Sequence, residues 1–196
     1  YMFPEIRLDP WTRANSGPVL RNDWLDKLGL KPPTTIEEWY VVLKAFKEKD
    51  PNGNGKNDEV PFVSLSLSNQ EAWSFAPFAA GFGFIYNNGL LYLDGNTVKF
   101  PALHPNFKTF ISTMAKWYAE GLLDPEFASQ DSKMMDAKMP GDRGGAYYGA
   151  LSGGLGKYLS AKKPGSSYDL IPVAIPKAPD GKSYANVPPY RALVPH

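Results

Sequence analysis

The 196-residue sequence contains no cysteine and only two histidines, His104 and His196. The lack of cysteine excludes disulfides, thiolate metal sites and thiol catalysis, and it leaves the redox compartment open. His104 stands immediately before Pro105 at a predicted helix start, which favours a local capping role over that of a general base. His196 is the final residue, so neither histidine belongs to a recognisable catalytic pattern.

Long apolar runs are also missing. No stretch approaches the roughly 18 apolar residues of a membrane span, and no signal peptide opens the chain. The 21 basic and 20 acidic residues give a net charge of +1 without any Lys/Arg block, so nucleic-acid binding is not expected. The sequence begins Tyr1-Met2-Phe3-Pro4. We interpret it as a piece of a longer polypeptide whose export signal or lipid anchor lies outside it.

Sequence motifs of catalysis are absent as well. The chain has no P-loop, H-E-x-x-H or G-x-G-x-x-G pattern, and Ala150 occupies the first glycine position of a G-x-S-x-G motif around Ser152. A pair of carboxylates for glycoside hydrolysis has spatial rather than sequential spacing, so a polysaccharide-acting hydrolase stays open as the least favoured alternative. Because most acidic residues have other interpretations, we predict that the chain is not an enzyme.

Apolar periodicity and capping signals predict a mixture of helices and short strands. Thr35 and Glu38 form a capping box at the start of the clearest helix, and Ser68 with Glu71 indicates another helix through about Ala80. The remaining predicted elements are helices at 21–30, 105–121 and 154–162, hairpin turns at Asn88-Gly89 and Asp94-Gly95, and strands at 145–151 and 168–175. This pattern predicts one helix-rich α/β or α+β domain spanning residues 1–196.

The most specific pattern is a polar loop that follows the Thr35 helix. Asp50, Asn52 and Asn54 present side-chain oxygens at alternate positions, and Gly55 permits the sharp turn that would bring them together. Such oxygen donors suit Ca²⁺, which takes six to eight oxygen ligands in flexible geometry. Lys56 would contribute its backbone carbonyl. The alternative is an ordinary Asn/Gly-rich turn.

The loop departs from the standard twelve-residue calcium loop at its end. Position twelve is Pro61, which cannot bind through its side chain, so Asp58 and Glu59 are the nearby acids that could close the shell. The predicted calcium ligands are Asp50, Asn52, Asn54, Lys56, Asp58 and Glu59. Because all of them come from one loop, we expect the ion to be structural.

The run from Arg21 to Phe62, which includes RNDWLDKLGL and KDPNGNGKNDE, resembles family 1 extracellular solute-binding proteins of ABC importers. It is most similar in pattern to large Gram-positive lipoproteins and alginate-oligosaccharide binders. The segments around Trp73, WYAEGLLDPEF (117–127), GGAYYGALSG (144–153) and YDLIPVAIPKAPDGK (168–182) look similar to the family too. In that family the loop binds calcium, which agrees with the ligands predicted from the residues.

The resemblance implies one lobe, the second, of a two-lobed periplasmic-binding-protein-like (type II) fold. Crossover segments are then expected near residues 1–20 and 185–196. It also implies non-catalytic binding of an extracellular solute, an oligosaccharide or another polar compound, for delivery to an ABC transporter permease. The parent would be a monomeric, extracellular, membrane-anchored lipoprotein. A calcium-stabilised module that binds a protein partner is the main alternative.

Sugar recognition requires flat aromatic faces with a few polar groups around them. Candidate ligand-binding residues are Trp73, Trp11, Tyr147, Tyr148, Tyr190, Arg7 and Arg191. Trp73 matches the sugar-stacking aromatic of maltose-binding protein, although core packing is an equal alternative. Tyr147 and Tyr148 are adjacent in a predicted strand, so one should be buried and the other exposed. Trp39 and Trp117 lie in apolar stripes and are assigned to the core.

Overall fold

The computed structural model describes residues 5–7, 16–65, 75–86, 91–184 and 191–193. Five α-helices lie within these ranges, and we number them in chain order. They are α1 (Asn22–Leu28), α2 (Ile36–Glu48), α3 (Phe107–Ala119), α4 (Ser132–Lys138) and α5 (Lys157–Ser160). The strands are β1 (Glu5–Arg7), β2 (Ser16–Arg21), β3 (Val60–Val63), β4 (Tyr92–Asp94), β5 (Thr97–Lys99), β6 (Gly144–Ala150), β7 (Leu170–Pro172) and β8 (Arg191–Leu193).

The central sheet has the strand order β3-β6-β2-β7. Strand β6 runs parallel to β3 and antiparallel to β2, while β7 pairs antiparallel with the other edge of β2. The segment after α3 covers the outer edge of β3, where Phe62 forms a parallel bridge with Leu123. Helices pack on a mixed sheet whose two faces each carry a buried apolar cluster, so the predicted α/β class is confirmed.

Strand β2 lies in a region where the sequence predicted only an extended segment or crossover. Val19 and Leu20 are buried, and β2 hydrogen-bonds to strands on both sides. A strand covered on both faces shows no alternation of apolar and polar residues, which explains why periodicity failed to find it. Strands β1 and β8 pair antiparallel with each other, so the two predicted crossover regions lie side by side.

Helix α2 begins and packs as the sequence predicted. The Thr35 hydroxyl accepts from the Glu38 amide, and the Glu38 carboxylate accepts from the Thr35 amide, which completes the capping box. Its apolar stripe of Ile36, Trp39 and Phe46 is buried. The amides of Thr35 and Glu38 at the start of the helix therefore find partners, which stabilises the helix that leads into the polar loop.

Helix α3 confirms the predicted helix only in part. It begins at Phe107, after a turn that contains Pro105, and it buries Phe110, Met114 and Trp117. The helical spacing of apolar residues predicts that Ile111 and Tyr118 also belong to the buried face, but this is wrong, because these side chains are 44% and 45% exposed. The apolar stripe of α3 is narrower than the sequence suggested, since only one side of the helix contacts the core.

The main core is rich in aromatic side chains. Trp39 contacts the rings of Phe62 and Phe78 at centroid distances of 6.3 and 5.1 Å, and Phe78 contacts Trp117 at 5.2 Å. These edge-to-face pairs add to the burial of apolar surface. The assignment of Trp39 and Trp117 to the core is therefore confirmed.

The other predicted elements have mixed outcomes. The hairpin at Asp94-Gly95 is confirmed by the antiparallel pairing of β4 and β5, whereas the Ser68/Glu71 helix start and the Asn88-Gly89 turn lie outside the described residues. The predicted helix at 154–162 is a π-helical turn, Leu151–Gly156, followed by α5. Helix α4 was not predicted. Among the described residues, no helix is long and apolar enough to cross a membrane.

Candidate functional site

The predicted calcium loop connects α2 to β3, and its first part is wrapped around the carboxylate of Asp50. Asp50 Oδ1 accepts from the amides of Gly53 (2.9 Å) and Asn54 (3.1 Å), and Oδ2 accepts from the amide of Gly55 (2.9 Å). Gly53 and Gly55 have φ values of 73° and 75°, which L side chains rarely adopt. The two glycines thus allow the tight wrapping that the sequence predicted.

The amide side chains of the loop converge on Asp58. Asn54 Nδ2 donates to Asp58 Oδ1 at 3.0 Å, and Asn52 Nδ2 lies 3.4 Å from the same oxygen. Asn52 Oδ1 accepts from the Asn54 amide at 3.0 Å, and Asn54 Oδ1 accepts from the Lys56 amide at 2.7 Å. These hydrogen bonds hold the pKa of Asp58 below its usual value. Each amide oxygen keeps one lone pair free for a further partner.

Glu59 closes the loop with a buried carboxylate. Its side chain is only 3% exposed, and neither carboxylate oxygen has a hydrogen-bond partner among the described residues. Burial raises the pKa of Glu59, and the nearby charges of Asp50 and Asp58 raise it further, while its own backbone amide and the charge of Lys47 oppose part of this rise. A buried carboxylate without a partner is costly, and a metal ion would supply the missing countercharge.

Two basic side chains touch the loop from outside. Lys27 Nζ donates to the Pro51 carbonyl at 2.7 Å, and Arg143 Nε donates to the Asp58 carbonyl at 3.3 Å. Arg143 Nε is also 4.0 Å from Asp58 Oδ2. These cations lie at the rim and neither contacts the Glu59 carboxylate, so they do not replace the countercharge that it lacks.

The donor set fits a calcium ion better than a transition metal. Within the described ranges, no three His, Asp or Glu side chains stand close enough together to hold a metal by themselves. A bound ion would therefore depend also on the amide oxygens of Asn52 and Asn54 and on a backbone carbonyl such as that of Lys56. Such mixed oxygen coordination is what Ca²⁺ accepts and what softer metals do not prefer.

The structure distinguishes the two adjacent tyrosines of β6. Tyr147 is 0% exposed and packs edge-to-face on Tyr158 at 5.3 Å. Tyr148 points to the other side of the sheet and is half-buried against the main core. The prediction is confirmed for Tyr147, which is buried, but Tyr148 is half-buried rather than exposed, and burial raises the pKa of its hydroxyl.

Tyr148 lines a narrow apolar slot. The slot has room for about 10 Å³, less than a single water molecule needs. Its other walls are Pro18, Phe62, Pro77, Phe78 and Pro176. Phe62 and Phe78 are buried core side chains, so the slot is a small gap against the main core and not a pocket for a sugar ring.

The remaining candidate ligand residues are only partly placed. Trp73, Trp11 and Tyr190 lie outside the described residues. Arg7 and Arg191 are direct partners in the register of β1 and β8, although their side chains are not among those described. The two arginines therefore meet at one point of the backbone, as a shared ligand site would require.

His104 has the local role that the sequence predicted. Its Nδ1 accepts from the Asn106 amide at 3.2 Å, just before α3, and its ring stacks on Phe84 at 4.7 Å. Burial lowers the pKa of His104. A ring nitrogen used for capping is not available as a general base.

Sequence comparison identifies two curated relatives. The fructooligosaccharide ABC transporter substrate-binding protein FusA of Streptococcus pneumoniae serotype 4 is 33% identical over 154 residues, which are 79% of this chain and 27% of FusA. Lipoprotein LipO of Bacillus subtilis is 38% identical over 132 residues, 64% of this chain and 25% of LipO. The chain thus spans about a quarter of the length of these curated relatives. No protein-family model matches it.

Solved structures share the fold. FusA from S. pneumoniae in complex with kestose matches with a TM-score of 0.73 and 31% identity, over 93% of this chain and 36% of FusA. An EF-hand mutant of FusA, in complex with fructo-nystose, matches with a TM-score of 0.73 and 30% identity, also over 93% of this chain and 36% of FusA. The alginate-binding protein AlgQ2, solved without calcium ion, matches with a TM-score of 0.70 and 29% identity, over 99% of this chain and 38% of AlgQ2. The homologues are sugar-binding proteins of ABC transporters rather than enzymes, and the fold is periplasmic-binding-protein-like, as predicted.

Proposed function

We propose that this chain, a homologue of part of the sugar-binding proteins of ABC transporters, forms one wall of a cleft that binds an oligosaccharide without changing it chemically. The parent protein would be an extracellular, membrane-anchored lipoprotein that acts as a monomer and delivers the sugar to a transporter permease. The similarity to FusA in complex with kestose, over 93% of the chain, is the observation that carries this proposal.

The geometry around Tyr148 supports a role as a platform for a sugar ring. A half-buried tyrosine among prolines offers a flat face held rigidly by its neighbours, and such faces bind the apolar side of sugars. Because the slot itself is too small for a sugar, the second wall must come from elsewhere. Trp73 and the Arg7/Arg191 pair remain proposed contributors.

Sugar binding can be tested on the chain with kestose and an alginate oligosaccharide as probes. We expect NMR titrations to show weak binding at millimolar concentration, with the largest shifts near Tyr148 and the sugar recovered intact. Tyr148→Ala should weaken binding about five- to tenfold, the equivalent of one stacking contact of roughly 1–1.4 kcal/mol. Tyr118→Ala, which removes an exposed tyrosine of α3, is the matched control and should bind as the wild type does. Cleavage of the sugar would refute the binding role, and equal affinity of both variants would refute the role of Tyr148.

The same protein would hold one structural calcium ion in the loop at 50–59. The Asp50, Asp58 and Glu59 carboxylates would provide charge, and Asn52, Asn54 and the Lys56 carbonyl would complete the oxygen shell. When bound, the ion supplies only positive charge. The unpartnered, buried Glu59 carboxylate is the observation on which this assignment rests.

Calcium binding is tested by calorimetry after removal of metal with a chelator. At a free calcium concentration of one hundred times Kd, the ion should add about 2.7 kcal/mol to the free energy of unfolding. For a chain of this size that corresponds to a rise in Tm of about 5–11 °C. Magnesium at the same concentration should give a smaller rise, because it requires rigid octahedral geometry. A metal-free sample whose Tm ignores calcium would refute the assignment.

A further inference from the structure

The calcium loop is tied to a turn far away in the chain. Asn52 Nδ2 donates to the backbone carbonyl of Asp142 at 3.0 Å, and the Val60 amide donates to the Arg143 carbonyl at 2.8 Å. Arg143 in turn donates to the Asp58 carbonyl. The turn at 139–143 is therefore held against the loop at both Asn52 and Asp58, two of the proposed calcium ligands.

Asp142 connects this turn to a buried cation. Its φ is 62°, in the left-handed region, where aspartate and asparagine occur more often than other residues besides glycine. Asp142 Oδ1 lies 2.6 Å from Arg21 Nη2, and the Arg21 side chain is only 2% exposed. The Arg21 guanidinium is stacked between the rings of Trp24 and Tyr168, at 4.5 and 4.4 Å. Arg21 ends strand β2, so the contacts run from the loop to the centre of the sheet.

The turn leads directly into β6, which lies between β3 and β2 and carries Tyr148. A metal ion on Asn52 Oδ1 would polarise the amide group and strengthen its Nδ2 hydrogen bond to Asp142, because hydrogen-bonded groups polarise one another. The turn would then lose freedom when the ion binds.

We propose that Asp142 is a coupling residue that transmits calcium occupancy of the loop to the sheet, through the contacts Asn52–Asp142–Arg21. Calcium binding then fixes the start of β6 and, with it, the strand that carries Tyr148. This proposal depends on the calcium binding proposed above. It differs from a purely local structural ion, whose effect would end within the loop.

Hydrogen exchange of the wild-type chain and of Asp142→Asn, with and without calcium, tests this coupling. Asparagine tolerates the positive φ and keeps the carbonyl that accepts from Asn52, while the charge that pairs with Arg21 is lost. The control is Asp94→Asn, which removes a carboxylate paired with Lys99 on the β4–β5 hairpin and has no contact with the loop in the structure. Calorimetry on each variant measures calcium affinity separately from its effect on the sheet.

We expect calcium to slow amide exchange in β6 at least about fivefold in the wild type and in Asp94→Asn, the lower end of typical coupling between sites. Asp142→Asn should bind calcium within about threefold of wild-type affinity yet lose most of this protection. Full calcium-dependent protection in Asp142→Asn would overturn the proposal. A wild-type chain that does not bind calcium would also overturn it, and calorimetry identifies that failure as one of the calcium assignment itself.

A wild-type measurement serves if Asp142→Asn fails to fold. The side-chain Nε–H of Arg21 donates to Asp23 Oδ1 at 2.8 Å. The NMR resonance of this Nε–H therefore reports on changes in the surroundings of the guanidinium. During a calcium titration this resonance should shift with the same midpoint as the Gly55 amide in the loop. An Arg21 resonance that stays fixed while the Gly55 amide shifts would overturn the proposal.

Discussion

Replacing Glu59 by glutamine should change stability in opposite directions with and without calcium. In the metal-free protein the Glu59 carboxylate is 3% exposed and has no hydrogen-bond partner among the described residues. A buried charge without a partner costs more free energy than a buried neutral group without one, so Glu59→Gln, which removes the charge and keeps the size, should stabilise the metal-free protein by about 1 kcal/mol. That change would raise Tm by about 2–4 °C in a chain of this length. With calcium saturating the wild type, the variant should be less stable, because it lacks one charged ligand.

The pH dependence of this difference follows from the raised pKa of Glu59. The folded protein holds the Glu59 proton more tightly than the unfolded chain, whose pKa is near 4.5. The associated stability is complete below that value and is lost as the pH rises through the higher pKa of the folded state. The advantage of Glu59→Gln in the metal-free protein should therefore grow with pH across this window.

Thermal unfolding at several pH values, in chelator and in calcium, measures both effects. Glu48→Gln is the matched control, since it makes the same chemical change on an exposed carboxylate at the end of α2. It should alter the free energy of unfolding by less than about 0.5 kcal/mol in either condition. If Glu59→Gln destabilised the metal-free protein as much as the calcium-bound one, the carboxylate would have a partner, and the reasoning from its burial would be wrong.

Two further changes test the packing that holds the site. Gly145→Ala should lower the free energy of unfolding in urea by about 1–3 kcal/mol, because a Cβ there would lie 2.6 Å from the Phe46 ring. The control is Gly17→Ala on the neighbouring strand, where a Cβ meets no atom within 4 Å, and this change should be nearly neutral. Lys138→Met should cost about 3–5 kcal/mol by leaving the fully buried Asp124 carboxylate, 2.8 Å away, without its cation. Adding Asp124→Asn to Lys138→Met should restore part of that stability, and a double variant no more stable than the single one would contradict a charge effect.

The parts of the fold that the sequence predicted are those whose causes are local. The Thr35/Glu38 capping box and the Asp94-Gly95 turn depend on residues a few positions apart, so the sequence pattern alone predicts them. The alternation of Tyr147 and Tyr148 was also predictable, but the choice between them depends on which face of β6 packs on Tyr158. That choice is made by tertiary contacts, which leave no periodic trace in the sequence.

The contacts that sequence reasoning missed join residues far apart in the chain. Lys138 pairs with Asp124, which lies before α4, and Arg21 pairs with Asp142, which lies much later in the chain. A charged residue in a sequence is read as exposed by default, because burying one is costly unless a partner compensates it. Strand β2 was missed for a related reason, since its last residue is a buried arginine and its proline breaks the expected strand pattern.

Strand β6 explains how the proposed metal loop and the proposed sugar platform can share one domain without sharing atoms. Its first residues are glycines, and at Gly145 a side chain would collide with Phe46 and with the Pro61 carbonyl, so α2 and the start of β3 approach closely there. Its later part carries Tyr148 into the apolar slot. Because a β-strand is stiff along its length, whatever fixes the glycine end also fixes the position of the tyrosine. The loop therefore need not touch a sugar to matter for binding: it has only to hold the turn at 139–143, where β6 begins.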